Sequence, residues 1–420
     1  MHIVYVSREL VPSLRCGGIG SYVWEIARQI VRRGHRVTVL CASDDTRRAG
    51  DLLSEGVRII RLPGGDFAIR GVEPTGATPV TRHLRQVLRF RAYRQVVADY
   101  LDEIVLRQGV NIVEFAEYGN EAAEWIRRER RIPMVVRIHG PASRRGGRRI
   151  AWRPWRWLTY RRAFQEYQAV RVADALSCPS EAMAQLVRCD GSLGARPIDI
   201  IPNTVDIGFW ARRDALTNRG AADGTVTIFS AGTVVAPKGI EELVEAASLL
   251  RLQGIKARLV IAGKLGPLGR SLQRQISRQP AVAAWFSLLG QIPRAQLRDH
   301  YRSADVVCFP SWWENCPCAC LEAMASGGLV LGSPAGGMAE IIREGHDGFL
   351  CPPGNSPLLA ERLMHVLALP PQEKLVLRAN AQARIATAYD THVIVPRMLA
   401  YYQQVIDTWR PRLQATRDCA

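Results

Sequence analysis

The chain has 420 residues, 47% of them hydrophobic, and a formal net charge of +17 from 56 Lys and Arg against 39 Asp and Glu. That length and apolar content suit a globular protein of two ordinary domains and exclude a disordered or fibrous one. No apolar run is long enough to cross a bilayer, the opening residues do not read as a signal peptide, and ten scattered cysteines suggest reduced thiols, so a cytoplasmic protein is expected. Nearly all of the positive charge is arginine, the lysines being Lys238, Lys256, Lys264 and Lys374. The basic residues are spread along the chain without an RNA-binding motif, which argues against a nucleic-acid binder.

From the N-terminus, His2 to Ser7 reads as a strand that runs into Gly17-Gly18-Ile19-Gly20. A helix follows, with Ser21 near its cap and Val23, Ile26, Ala27 and Ile30 on one face, and then the strand Arg36 to Cys41. This βαβ unit invites comparison with a dinucleotide site, but the third glycine of G-x-G-x-x-G is missing, and a tight turn also accounts for Gly17 and Gly18. Strands are expected at Ile112 to Phe115 and Met134 to Ile138, with His139-Gly140 at the end of the second. Residues Arg144 to Arg162 hold eight arginines, three tryptophans and no acid. Such a segment fits either an anionic bilayer interface or a solvated loop and helix with inward tryptophans. The polar stretch from about Asp206 to Gly224 lacks periodicity and reads as a hinge.

Beyond it, strands are expected near Val226 to Phe229, Ala257 to Ala262, Phe286 to Leu289, Val306 to Phe309 and Leu329 to Gly332. Lys238 lies between the loop containing Gly232 and Thr233 and an amphipathic helix from Ile240 to about Leu252, a position suited to binding a diphosphate. Glu314 and Glu322 stand eight positions apart around Pro317, which is tolerated only in the first helical turn. Glu314 is therefore expected on a loop at a strand's carboxyl end, and Glu322 one to two turns into a helix that stops at Gly327. Ligands bind at such strand ends in open parallel sheets, and free amides at a helix start suit phosphate. Cys316, Cys318 and Cys320 do not have the C-x2-C spacing of zinc knuckles and read as packing residues in a tight turn. No D-x-D triplet supplies a carboxylate pair for a donor-bridging Mg2+ or Mn2+, so metal independence is expected.

The chain resembles the GT4 family of retaining glycosyltransferases, whose E-x7-E signature is matched by Glu314 and Glu322. Other matches are Ser180-Glu181, Pro202-Asn203-Thr204-Val205-Asp206, Gly336-Gly337-Met338-Ala339-Glu340 and Gly345-His346-Asp347-Gly348-Phe349-Leu350. The resemblance implies an α/β protein of the GT-B fold: two Rossmann-like domains whose parallel sheets face a central cleft, with a C-terminal helix crossing back to the first domain. The expected boundaries are 1–205 for the acceptor-side domain, 206–390 for the nucleotide-sugar domain and 391–420 for the crossover helix. Catalytic roles pass to His139 and Glu314, beside the donor sugar, although a lone histidine at a strand end is otherwise more often structural. Donor contacts pass to Gly17, Gly18, Gly232, Thr233, Lys238, Gly290, Asn315, Cys316 and Glu322, with Glu322 on the ribose hydroxyls. Thr233 stands where the family carries arginine, and Thr204 where it carries glycine.

The implied activity is metal-independent, retaining transfer from a nucleotide-diphosphate sugar to a hydroxyl acceptor, without a cofactor. A glycan or lipid-linked intermediate is the expected acceptor, with peripheral contact to the inner face of the cytoplasmic membrane through residues 144–162. A GT-B nucleotide-sugar epimerase and a transferase for a soluble acceptor are the alternatives.

Overall fold

The computed structural model describes residues 1–10, 17–43, 50–63, 79–140, 144–145, 148–149, 167–189, 196–212 and 223–411. Its first sheet has eight strands in the order β10-β9-β6-β5-β1-β2-β4-β3. These are β1 (His2–Val6), β2 (Arg36–Ala42), β3 (Gly50–Ser54), β4 (Val57–Leu62), β5 (Ile112–Ala116), β6 (Met134–Arg137), β9 (Ala175–Cys178) and β10 (Asp199–Ile200). All neighbours are parallel except the β3-β4 hairpin at one edge. Strands β1 and β5 are buried at every position, which is why they read as continuous runs rather than as alternating patterns. A separate two-stranded pair joins β7 (Arg144–Arg145) and β8 (Arg148–Arg149), while the remainder of the Arg- and Trp-rich segment lies outside the described residues.

The second sheet is wholly parallel, in the order β13-β12-β11-β14-β15-β16. Its strands are β11 (Val226–Ala231), β12 (Ala257–Ala262), β13 (Phe286–Gly290), β14 (Val306–Phe309), β15 (Val330–Gly332) and β16 (Phe349–Leu350). Strand order reverses around β11, which has β12 on one side and β14 on the other. The loops leaving β11 and β14 therefore diverge and open a crevice at their carboxyl ends.

Three helical details depart from the sequence reading. Helix α1 (Gly18–Val31) starts three residues before Ser21 and is capped by Gly17. The Gly17 N–H donates to Glu9 Oε2 at 2.9 Å, and a Cβ on Gly17 would lie 2.7 Å from that oxygen, so a cradled glycine and not a serine hydroxyl begins the helix. The long helix α2 (Pro79–Gln108) is not among the elements expected from sequence; its buried positions Val97, Ala98, Leu101 and Ile104 are interrupted by Asp99, Asp102 and Glu103. After α3 (Glu181–Arg188), the expected hinge opens with an ordered turn, α4 (Ile207–Trp210), whose Trp210 is fully buried. Asp206 caps that turn by accepting from the Phe209 N–H at 3.2 Å. Residues 213–222 of the expected hinge lie outside the described residues.

In the second unit the helices that matter for the cleft are α5 (Ile240–Leu252), α6 (Pro267–Arg278), α7 (Pro280–Ala283), α8 (Arg294–Ser303), α9 (Cys318–Ala325) and α10 (Met338–Ile341). Helices α11 (Ser356–Ala368) and α12 (Pro371–Ala388) then lead to α13 (Thr391–Thr408). The chain crosses between the units twice, and the crossings bond to each other. Val205 N–H donates to Tyr389 O at 3.1 Å and Thr391 N–H to Val205 O at 3.2 Å. The Thr204 hydroxyl donates to the same Tyr389 carbonyl at 2.9 Å, so threonine at this turn adds a bond that glycine could not make.

Helix α13 packs on the first sheet, where Ile394, Val395, Met398, Tyr402 and Val405 share a core with Ile3, Tyr5, Ile26 and Val39. Its Tyr402 hydroxyl donates to Glu114 Oε2 at 2.7 Å and lies 2.9 Å from the Tyr5 hydroxyl. Removing that hydroxyl leaves a buried carboxylate with one bond fewer. Tyr402→Phe is expected to lower stability by about 1.5–3 kcal/mol, the range for hydrogen bonds to charged groups, read as a lower midpoint in urea unfolding. An unchanged midpoint would show that the hydroxyl contributes nothing to the docking of α13.

Candidate active site

Between the two sheets lies a cleft of about 920 Å³, lined from both units. The first unit contributes Gly17, Gly18, Glu25 and His139, and the second contributes Gly232, Thr233, Lys238, Lys264, Arg294, Glu314, Asn315, Cys316 and Glu322. Of the residues marked from sequence, only Gly290 is not part of this wall; its neighbours Gln291 and Ile292 are. Gly290 has φ +68° and its carbonyl accepts from the Gly263 N–H at 2.7 Å, which makes it a structural turn beneath the lining.

The floor is formed by the two loops that diverge from β11 and β14. Lys238 ends a short 3-10 turn, Ala236–Lys238, and Gly239 follows in the left-handed region at φ +67°. A Cβ on Gly239 would come within 2.1 Å of Pro310 O, so only glycine lets the lysine loop press against the glutamate loop. The Trp312 N–H then donates to Pro237 O at 2.9 Å. This stitching brings the Lys238 ammonium onto Glu314 Oε1 as an ion pair, and the Ser311 hydroxyl donates to the same oxygen at 2.8 Å. On its other flank the Glu314 backbone pairs with Ala335 and Gly337. Gly336 has φ +89°, and a Cβ there would lie 2.1 Å from Glu314 O and 2.9 Å from the Trp313 ring, so only glycine fits beside the glutamate loop.

Pro317 is the N-cap residue of α9, just before its first turn. The amides of that turn open toward the cleft beside Cys318 and Ala319, where an anion would meet the positive end of the helix. Glu322 lies one turn further on. Its carboxyl is pushed up to about 7, chiefly by burial, with the charge of Arg294 partly opposing the shift and that of Glu25 adding to it. Cys316 and Cys320 are buried and their thiols are pushed up by burial, whereas Cys318 faces the cleft. Cys316 lines the cleft, and its carbonyl accepts from Asn203 Nδ2 at 2.8 Å. Among the described residues no group of three His, Cys, Asp or Glu side chains could hold a metal ion.

His139 follows β6 and is fixed through its backbone: Glu117 accepts from the His139 N–H at 2.8 Å and from the Gly140 N–H at 2.6 Å. Its ring lies 5.3 Å from that of Tyr22, and Nε2 is buried without a hydrogen-bond partner among the described residues. Burial, and then the charge of Arg137, hold the imidazole well below its usual range, so it is neutral near pH 7. A neutral ring with a spare nitrogen can bond a ligand hydroxyl.

Two cleft residues escaped the sequence reading. Arg294, at the start of α8, donates to Glu25 Oε2 of α1 at 3.2 Å and lies over the rings of Phe209 and Trp210. Glu25 also pairs with Arg28, which reaches Asp206 at 3.3 Å. Glu25 shares its face of α1 with Ser21, Tyr22, Arg28 and Gln29, which reads as an ordinary polar helix face and gave no signal of a cleft contact. Asn315 lines the cleft as expected, and its side chain also bonds the first unit, donating to His139 O at 2.9 Å and accepting from the Ser180 hydroxyl at 2.6 Å.

Comparison with known proteins agrees with this geometry. Residues 17–204 match the family model described as glycosyl transferase 4-like domain, and residues 212–384 match that described as glycosyl transferases group 1. The chain is 25% identical over 417 residues to a glycogen synthase of Mycobacterium tuberculosis, covering 96% of this chain and 94% of that one. It is 28% identical over 394 residues to a D-inositol 3-phosphate glycosyltransferase of Nocardiopsis dassonvillei, covering 87% and 85%. Among solved structures, sucrose-phosphate synthase from Thermosynechococcus elongatus superposes with a TM-score of 0.75 at 18% identity, covering 97% of this chain and 100% of that one. Anabaena Alr3699/HepE in complex with UDP-glucose gives 0.65 at 17% identity, covering 96% and 100%. With two parallel-sheet units around one cleft and family matches spanning nearly its whole length, the chain belongs to the group 1 (GT4) glycosyltransferases and has the GT-B fold.

Proposed function

We propose that the protein transfers a sugar from a nucleotide-diphosphate donor to a hydroxyl acceptor with retention of configuration and without a metal ion. The observation that carries this reading is the Lys238–Glu314 pair on the cleft floor, set between diverging strands and beside the α9 N-terminus. A diphosphate entering there meets an ammonium and free amides, which together stabilise the charge that grows as the sugar–phosphate bond breaks. Lys264 lines the same wall as Thr233 and supplies a second cation where arginine is absent. The HepE complexes with UDP and UDP-glucose support a nucleotide-sugar donor.

In this reading Glu322 accepts the two ribose hydroxyl protons and the neutral His139 ring bonds a hydroxyl of the donor sugar. Glu314, released from or sharing Lys238, faces the positive charge that develops at the anomeric carbon. The acceptor oxygen forms its new bond on the face from which the diphosphate departs, and its proton passes to the departing phosphate oxygen. The protein positions and stabilises; it forms no covalent bond. Lack of a D-x-D triplet supports metal independence.

The relatives' names, glycogen synthase and D-inositol 3-phosphate glycosyltransferase, point to different acceptors. The reading of a lipid-linked acceptor rests on this chain's own Arg144 to Arg162, whose arginine and tryptophan content suits an anionic headgroup region. No helix among the described residues is long and apolar enough to cross a membrane, so contact would be through the surface.

Release of nucleoside diphosphate from a panel of nucleotide sugars is expected only with acceptor present, and equally in EDTA; release without acceptor, or loss in EDTA restored by Mn2+, would contradict the reading. Because the Glu322 carboxyl titrates near 7, it is protonated below that pH and accepts two hydroxyl protons only above it. UDP affinity in calorimetry should therefore rise from pH 6 to 8 more steeply in the wild type than in Glu322→Gln, the variant cancelling the titration of the diphosphate itself. Identical pH profiles would remove Glu322 from the ribose. Vesicle flotation should require anionic lipid, weaken with salt and drop when Arg148, Arg149, Arg153 and Arg156 become serine, whereas indifference to lipid charge would favour a soluble acceptor.

A further inference from the structure

The two units exchange asparagines across the cleft. Asn203, on the first unit, donates from Nδ2 to Cys316 O at 2.8 Å and accepts from the Arg137 guanidinium at 3.1 Å. Asn315, on the second, reaches back to His139 O and to Ser180. The orientation of the Asn315 carboxamide follows from its partners. A carbonyl only accepts, so Nδ2 must face His139 O. The Ser180 oxygen already accepts from the Met183 N–H at 3.1 Å, so its proton is free to donate to Asn315 Oδ1. Close by, the Glu340 carboxylate crosses from α10 to accept from the Glu181 and Ala182 N–H groups at 3.0 and 2.8 Å, filling the open amides at the start of α3. Gly337 is packed so tightly here that a Cβ would lie 1.9 Å from Asn315 O and 2.6 Å from Ser180 Cβ.

Resting on the reading above, we propose that Asn315 is a positioning residue that couples closure of the cleft to the placement of His139. Its neighbour Glu314 faces the reacting sugar from the second unit, and its side chain grips the backbone of His139 on the first. That carboxamide therefore ties the loop carrying Glu314 directly to the residue carrying the imidazole. Glu340 of α10, held by the first amides of α3, forms the second point of the clasp, so the units cannot rotate about the Asn315 contact alone. Opening the cleft breaks both points, along with the Asn203–Cys316 and Glu25–Arg294 bonds, and separates His139 from Glu314, which makes the complete catalytic arrangement a property of the closed form.

The isosteric variant Asn315→Asp tests this, since it sets a carboxylate oxygen against His139 O. The two oxygens repel and the clasp opens. X-ray scattering should show a larger radius of gyration for the variant than for the wild type without any ligand. With UDP as probe, affinity should stay within about twofold, because the nucleotide is held by the second unit, while kcat at saturating donor falls about ten- to a hundredfold, as expected for misplaced catalytic groups. Glu340→Gln, which leaves the cleft wall intact, should expand the protein in the same direction and covers the case in which the aspartate variant does not fold. Two results would overturn the proposal: an unchanged radius of gyration in both variants, or a UDP affinity that collapses while kcat is retained, which would make Asn315 a donor ligand. The scattering does not depend on activity, so failure of wild-type protein to bind UDP or transfer sugar would count against the proposed function and not against the clasp.

Discussion

The structure is organised around one charge that cannot reach water. Arg137 ends β6 fully buried, with its guanidinium 4.3 Å from the centre of the Tyr22 ring and bonded to Ile201 O and the Asn203 carboxamide. Burying an ion costs several kcal/mol unless opposite charge and hydrogen bonds surround it. Glu114, also buried, supplies the opposite charge; burial raises its carboxyl, and Arg137 with the hydroxyls of Tyr402 and Tyr22 pull the other way. The groups around this guanidinium therefore come from four other pieces of chain: Tyr22 of α1, Glu114 of β5, the turn at 201–203 and Tyr402 of the final helix α13.

That requirement reaches the cleft directly. The same guanidinium orients Asn203, whose other end holds the backbone of Cys316 in the opposite unit. It also lies close enough to His139 to keep the imidazole uncharged, adding to the larger effect of burial. A protonated ring two residues from Arg137 would place two cations in one apolar layer. The folded state binds that proton less readily than the unfolded chain does, so the His139 contribution to stability is present above the ordinary histidine range and is lost as pH falls through it.

The second unit solves a different problem, the close approach of backbones. Gly239 against Pro310, Gly263 against Gly232 and Gly336 against Glu314 are three contacts in which a methyl group would lie about 2 Å from a carbonyl oxygen. Together they compress the loops after β11, β12 and β14 until Lys238 touches Glu314. The pair carries no net charge by itself, and Lys264 and the Glu25-paired Arg294 stand on the same wall.

Much of this was legible before folding was considered. Strands β1, β2, β5, β6 and β11 to β15 and the helix at Ile240–Leu252 follow from runs and periods that neighbouring residues alone determine. So does the placement of Glu314 before, and Glu322 inside, a helix that Pro317 must introduce and Gly327 must end. The hairpin β3-β4 and helix α2 were missed because charged residues interrupt their patterns. What the sequence could not contain was the direction of the polar side chains. Asn315 pairs with residues 135 and 176 positions away, Arg294 with one 269 away, and Glu340 with amides 158 and 159 away. Nothing in the residues around Asn315 shows that the opposite unit supplies a carbonyl and a hydroxyl in bonding position. Periodicity fixes which face of an element is buried, since apolar burial needs no particular partner; a hydrogen bond needs one atom at one distance, and only the assembled tertiary structure provides it.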